Sequence, residues 1–493
     1  MAEFLKFRLK NLCSNVLAKT ISIWCVDHEN KNNSIFPADL SLLPDETVHF
    51  ILSMAESQGI LTSKFLSTLI HEKMTILCIG KYSTFLTDDV LQQMSCKNLV
   101  SLNLRGCNGV SSQCIVGFVR NCCNLKNLYL ESCSHVVDDT IESLVQQAEA
   151  FVEPSIIANL NLSSTNVTTK TLWFLLNSIP SLVSLSFQNI RDVDSCTLRR
   201  KDNISSCNLK FLDMLRTPYN ELLHVVQVCT NILHLKLDIS SCIRNDDVKL
   251  LEEELAKHSE LKHLELSKSD DCKVGKSMYV FNLPKLMTRQ LQSLQLTGPI
   301  SLYMLNFSPQ KHNVLSRIIL RGCLIVQPIL STSNPGANTI ILSDFVPTLQ
   351  SIQLDFTKFK DVSLEEKQEI IRQLLVSHSQ LHELSLISVP IDEETLLDVL
   401  RSSTGSQLEK LTISCYDNIT WKSMNAIGEF CPKLKWLQLF HCWIINSYQV
   451  RQFNEHMKTK GRELDVVTLD FTNNCYDFNS SEWREFCFLE IYD

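Results

Sequence analysis

One six-residue phrase, Leu-x-x-Leu-x-Leu, recurs from near residue 74 almost to the end of the chain, and no other property restricts the possible folds so strongly. Clean or lightly altered copies begin at Met74, Leu99, Leu125, Ile157, Leu182, Leu209, Ile232, Leu261, Leu291, Leu315, Leu349, Leu381, Leu408, Leu434 and Leu464. Their mean spacing of about 28 residues is the period of a solenoid. The Leu-x-Leu half alternates as a short strand with both leucines on one face, and the leading leucine turns inward from the approach loop. One such unit cannot bury its own face, so neighbours must stack and pair their strands in parallel around a continuous apolar core. Between phrases the spacing turns helical, as in Thr140-Ile141-Glu142-Ser143-Leu144-Val145 and Thr395-Leu396-Leu397-Asp398-Val399-Leu400, and predicts a convex row of helices.

The period and the phrase together are those of leucine-rich repeats. The expected fold class is therefore α/β: a leucine-rich-repeat solenoid, a horseshoe with a parallel concave sheet and convex helices. The repeats are expected over residues 74–472, after an amino-terminal helical block over 1–73 and before a carboxy-terminal cap over 473–493. Irregular insertions at about 191–207, 268–282, 298–313 and 327–338 lengthen single steps; the last holds Pro328, Pro335 and Gly336 and reads as a surface loop. A chain of 493 residues is long for one compact core, but a solenoid grows by addition and escapes that limit.

A formal net charge of -8 argues against a nucleic-acid footprint, which wants a basic excess. Residues 1–10 lack an unbroken apolar run, and no window approaches the roughly 20 apolar residues of a membrane span. The expected location is thus cytoplasmic or nuclear, without a membrane partner. The 20 cysteines contain no Cys-x-x-Cys pair and do not group as metal ligands. Cys107, Cys133, Cys323 and Cys442 each follow the last leucine of a phrase by three residues, Cys415 follows its phrase by two, and Cys122, Cys229 and Cys431 end helical segments. Small, weakly polar side chains suit such tight, buried places. The acidic runs Asp88-Asp89, Asp138-Asp139, Asp246-Asp247 and Asp392-Glu393-Glu394 each precede a helical segment, where a carboxylate accepts helix-terminal N–H bonds. Capping explains them better than acid–base catalysis. No Ser-His-Asp order, glycine-rich phosphate loop or His-Glu-x-x-His is present. Neither an enzyme nor a metal or cofactor is expected.

The form Leu99-Val-Ser-Leu102-Asn-Leu104-Arg-Gly-Cys107, with Cys122-Cys123-Asn-Leu125-Lys-Asn-Leu128-Tyr-Leu130-Glu-Ser-Cys133 and Phe430-Cys431-Pro-Lys-Leu434-Lys-Trp-Leu437-Gln-Leu439-Phe-His-Cys442, resembles the cysteine-containing leucine-rich repeat. The likeness covers roughly residues 74 to 470. Proteins of that kind are most often substrate receptors of cullin-RING ubiquitin ligases. Ahead of the repeats, Leu9, Cys13 and Leu17 recur every four residues and form one helical stripe. As a plain amphipathic helix this stripe shields the first repeat. It is also similar to the BC-box of elongin C binders, although Arg8 stands where that family has a small residue or proline. The following Leu42-Leu43-Pro44-Asp45-Glu46-Thr47-Val48-His49-Phe50-Ile51-Leu52 opens a helix with proline and acids. It resembles the cullin-binding box downstream of a BC-box, and also the first helix of an F-box, which docks a Skp-type adaptor. Residues 53–73 lack the tryptophan of an F-box. The order resembles the ZYG/ZER receptor family. That resemblance implies elongin C and a cullin as partners, with Leu9, Cys13, Leu17, Leu43, Pro44, Val48, Ile51 and Leu52 facing the adaptor. The family's armadillo-like domain has no counterpart up to residue 493, so its degron specificity is not carried over.

The outward positions of each phrase give the expected client surface. They are Trp436, Gln438 and Phe440 in one repeat, Lys410, Thr412 and Ser414 in the one before, and His263 with Glu265 farther back. Arg317, Ile319 and Arg321 lie near the middle, beside Ser351, Gln353 and Asp355. Aromatics and arginines are favoured interface anchors, so Trp436 and Phe440 lead, unless Trp436 packs on Trp421 or Trp443 within the terminal cap. A stand-alone interaction scaffold is the alternative to a ligase receptor.

Overall fold

Alternating apolar positions become strands wherever the phrase occurs. The computed structural model describes residues 16–17, 19–20, 40–149, 157–188, 208–216, 219–240, 245–268, 280–282, 290–303, 314–326, 346, 348–355, 358–360, 363–376, 378–389, 391–414, 419–440, 442, 444–445, 447–462 and 464–469. It divides into two units, Met1–Phe281 with Lys285–Leu291, and Asn282–Pro284 with Gln292–Asp493. Among the described residues no helix is long and apolar enough to cross a membrane.

In the first unit the strands Ile76–Cys78, Ser101–Asn103, Asn127–Tyr129, Asn159–Asn161, Ser184–Ser186, Phe211–Met214, His234–Asp238 and His263–Ser267 pair in parallel, in chain order. Leu77, Leu102, Leu128, Leu160, Leu185, Leu212, Leu235 and Leu264 stand in register as one leucine ladder, and each is at most 4% exposed. In the second unit Ser293–Thr297, Arg317–Arg321, Ser351–Asp355, Glu383–Ile387, Lys410–Ser414, Trp436–Phe440 and Asp465–Leu469 repeat the arrangement. Both units are thus the expected α/β repeat fold. Each strand begins two residues after its phrase, from Met74 and Ile76 to Leu434 and Trp436. Only the last slips: Leu437 pairs with Val466, not Val467, so the phrase at Leu464 is read one residue out of frame. Adjacent valines at 466 and 467 make that frame ambiguous in sequence.

Helices return between strands. Glu393–Arg401 buries Thr395, Leu396, Leu397, Val399 and Leu400, the apolar stripe that helical spacing dictates. Ser111, Thr168, Asp392 and Thr420 each accept a backbone N–H of the helix that follows, and Ser363 makes a full capping box with Glu366. One departure from the expected helical row lies in the second unit. After their main strands, the repeats opening at Leu291, Leu315 and Leu349 continue into second short strands, Ser301–Tyr303, Leu324–Val326 and Lys358–Lys360, which also pair in parallel. The first of these lies inside the insertion expected at 298–313. Gly298 and Gly322 make the turns at φ 94° and 66°, where a side chain would be strained.

Candidate functional site

In the second unit the outward rows run across neighbouring strands in register: Arg317, Ser351, Glu383, Lys410 and Trp436, then Arg321, Asp355, Ile387, Ser414 and Phe440. Lys410 and Arg317 are exposed, whereas Trp436, Gln438 and Phe440 are half-buried. Trp436 alternates with the buried Leu437 and so stands on the sheet face turned away from the core. Trp443 lies outside the described residues. Two expected contacts are corrected. Arg321 is no free arm, because its Nε lies 3.1 Å from Asp355 Oδ2 and its side chain is only 17% exposed. Ile319 is 4% exposed despite its outward register. Asp355 also accepts Gln353 Nε2 at 2.6 Å. Burial drives its pKa up to about 6, against the opposing pull of Arg321 and Gln353. Gln438 is engaged too, accepting the Thr412 hydroxyl at 2.9 Å.

The first unit carries a row that the sequence reading caught only at His263 and Glu265. Phe211, His234 and His263 occupy the first outward position of consecutive strands. The ring centroids are 5.9 Å apart for Phe211 and His234, and 4.2 Å apart for His234 and His263, the latter pair stacked. The next outward row holds Asp213, Lys236 and Glu265, with Lys236 Nζ 3.1 Å from Glu265 Oε2. Burial depresses the pKa of both imidazoles, and Lys262 adds to it. Three successive phrases with an aromatic or imidazole ring at one position were the available signal.

At the amino-terminal block, Leu9 and Cys13 lie outside the described residues. Val16 and Leu17 are helical, Val16 is 58% exposed, and Thr20 Oγ1 donates to the Val16 carbonyl. The helix Asp45–Ser57 starts after Pro44, as expected. Val48, Ile51 and Leu52 are each 0% exposed, which corrects their assignment as adaptor-facing: these side chains belong to the core. Leu42, 74% exposed, and Pro44 remain outside, and Leu43 is half-buried. The same helix closes the first strand. Asp45 Oδ2 accepts Thr75 N, Thr75 Oγ1 and Ile76 N at 3.0, 2.7 and 2.8 Å, and a His49 ring nitrogen meets the Ile76 carbonyl at 3.1 Å. Burial raises the Asp45 pKa, but these Thr75 and Ile76 hydrogen bonds outweigh it and hold the carboxyl below its usual value.

Several of the other polar candidates are consumed in stacking. Asp88 accepts Ser111 N, Asp138 accepts Thr168 N and the Thr168 and Thr171 hydroxyls, and Glu393 accepts Thr420 N and the Thr420 and Ser423 hydroxyls. These acids hold the helix start of the following repeat rather than their own; Asp392 alone of this set caps its own helix. Several buried thiols behave alike. Cys133 Sγ lies 3.0 Å from the Leu104 carbonyl of the preceding repeat, Cys323 Sγ 3.3 Å from Leu296 O, and Cys122 Sγ 3.3 Å from Cys96 O. Burial pushes the Cys107, Cys122, Cys323 and Cys431 thiols up to about 12. Among the described residues no group of three or more His, Cys, Asp and Glu side chains is placed to hold a metal.

No family model matches the chain, and no curated protein matches it. Among solved structures, it is similar to a chain of the crystallised yeast complex of Rad7 and Elc1, at 12% identity, 92% coverage of this chain, 90% of that one and a TM-score of 0.40. It is also similar to a protein of Bacteroides fragilis, at 12% identity, 51% coverage of this chain, 68% of that one and a TM-score of 0.29.

Proposed function

We propose that the protein is a non-catalytic substrate-recognition subunit of a cullin-RING ubiquitin ligase. The observation that carries the recognition half is the outward face of each sheet, where half-exposed side chains such as Trp436 and Phe440 stand on a backbone fixed in register. Interface anchors of that kind suit a protein client. Among the described residues Asp88, Asp138, Glu393, Cys122, Cys133 and Cys323 are engaged between repeats; in this reading catalysis belongs to the partner enzymes and this chain supplies proximity. The ligase half rests on the stripe of Leu9, Cys13 and Leu17 and its resemblance to a BC-box, with Leu43 and Pro44 next in line. Elongin C and a cullin are the proposed partners, in cytoplasm or nucleus.

A second reading is favoured by the buried Val48, Ile51 and Leu52 and by the bonds from Asp45 and His49 to the first strand. In it the amino-terminal helices only cap the repeats of a stand-alone scaffold. Pulldown of the full chain separates the two. Wild type should recover elongins and a cullin, and a Leu9→Ser, Cys13→Ser variant should lose them with an unchanged circular dichroism spectrum. Recovery of a Skp-type adaptor, sensitive to substitution at Pro44, would instead support the F-box reading. Recovery of neither leaves the scaffold.

A further inference from the structure

Three rings and two carboxylates meet on the outward face of the first unit. Phe211, His234 and His263 form the ladder described above, and all three are half-buried with one sheet face open. Asp213 and Glu265 lie two residues farther along the strands, in the adjoining row. Asp213 is 5% exposed and burial raises its pKa, against the pull of Gln188, Lys236 and the Leu215 backbone N–H; Gln188 Nε2 donates to its Oδ2 at 2.7 Å, while its Oδ1 meets no donor within hydrogen-bond distance. A buried carboxylate oxygen without a partner is costly, and a donor brought from outside would recover that cost.

We propose that this face receives an arginine of an extended, basic segment of a partner polypeptide, its guanidinium plane lying on the rings and its N–H groups directed to Asp213 and Glu265. The row-to-row rise along a strand is roughly 7 Å, within reach of a planar fork lying on one row and donating to the next. Arginine fits both features at once, because its delocalised cation stacks on ring faces and forks onto carboxylates, whereas lysine is a hydrated point charge without a plane. An aromatic side chain would use the rings and leave Asp213 as it is. An acidic segment would meet two carboxylates. Lys236 is the opposing charge on this face, and it is engaged with Glu265. Stacking a cation requires neutral imidazoles, which burial and the neighbouring Lys262 favour.

The inference rests on the sheet face being a recognition surface and not on adaptor recruitment. The test uses purified full-length protein without adaptors and fluorescence anisotropy. The probes are labelled Gly/Ser octapeptides carrying two arginines, or lysine, citrulline or tyrosine at the same positions. The arginine peptide is expected to bind saturably and at least about tenfold more tightly than the other three. A His234→Ala, His263→Ala variant, and separately Glu265→Gln, should each weaken it several-fold with an unchanged circular dichroism spectrum, whereas Trp436→Ala should not. Equal binding of lysine and arginine peptides, preference for tyrosine, indifference to the histidine and glutamate substitutions, or no saturable binding would each overturn the proposal. Failure of the adaptor pulldown would leave this result standing, and the reverse holds equally.

Discussion

Carboxylates here stitch one repeat to the next. Glu393 reaches the backbone N–H and hydroxyl of Thr420 and the hydroxyl of Ser423, across 27 to 30 residues of sequence. Glu393→Ala removes those bonds and leaves the Thr420 N–H and the Thr420 and Ser423 hydroxyls without that acceptor, although Thr420 still caps its helix, so urea unfolding at pH 7 should show a loss of about 1–3 kcal/mol. Burial raises the Glu393 pKa, but the Ser423 and Thr420 hydrogen bonds outweigh it and hold the carboxyl below its ordinary value. Its stabilisation is then complete above the unfolded pKa of roughly 4.3 and fades as pH falls through the lower folded value. The gap between wild type and Glu393→Ala should therefore be flat above about pH 5 and close in stronger acid. Thiols give a second expectation. Cys78 and Cys123 are exposed, whereas Cys107, Cys133, Cys323 and Cys431 are buried, so alkylation at pH 8 followed by peptide mapping should mark the first two on the native protein and the other four only after unfolding. Slow modification of Cys78 and Cys123 relative to the buried set would contradict this. The cysteine positions were readable as packing residues because they recur at a fixed offset from the phrase. The partners of the acids were not, because an acid before a helix looks the same whether it caps its own helix or the next one.

At the scale of elements, strand starts were legible because the leucine pattern fixes both face and register. The second short strands were not. Leu324-Ile325-Val326 is a run of three residues, too short to show alternation, and β-branched residues there suit a strand as well as a buried turn. Helix-to-helix packing is equally invisible in sequence. Gly428 sits in the helix Trp421–Phe430, and a Cβ built there would lie 2.6 Å from Met457 Cε and 3.2 Å from Phe453 Cε2 of the helix Ser447–Thr459. Methionine is pliable, so Gly428→Ala should be nearly neutral, its better helix propensity offsetting a small shift of Met457. Gly428→Val should cost about 1–3 kcal/mol by overpacking. Thermal unfolding of the pair checks this; a Val variant as stable as wild type would mean the two helices are not this close. Arg462 belongs to the same contact, donating to the carbonyls of Gly428 and Cys431 where the first helix ends.

At the scale of the whole molecule, stacked repeats share stability mainly with their neighbours. Leu52→Ala should cost about 2–5 kcal/mol in the first unit. In hydrogen exchange it should accelerate the amides of Thr75, Ile76 and Leu77 and leave those of Glu383–Ile387 at their wild-type rates. Uniform acceleration in both strands would show that the units unfold as one. What sequence alone could not reveal is how the amino-terminal helix is used. Its helical pattern was plain, yet only the structure shows Val48, Ile51 and Leu52 turned inward and Asp45 and His49 attached to the first strand.

That attachment ties any handle at the front of the protein to its lattice of strands. The outward N–H and C=O of Ile76 are occupied by Asp45 and His49, which denies the end strand to a stranger's backbone. A partner that tugged Asp45–Ser57 aside would bare this seam, so docking and fraying would rise and fall together, whereas a ligand that leaves that helix in place leaves the seam shut.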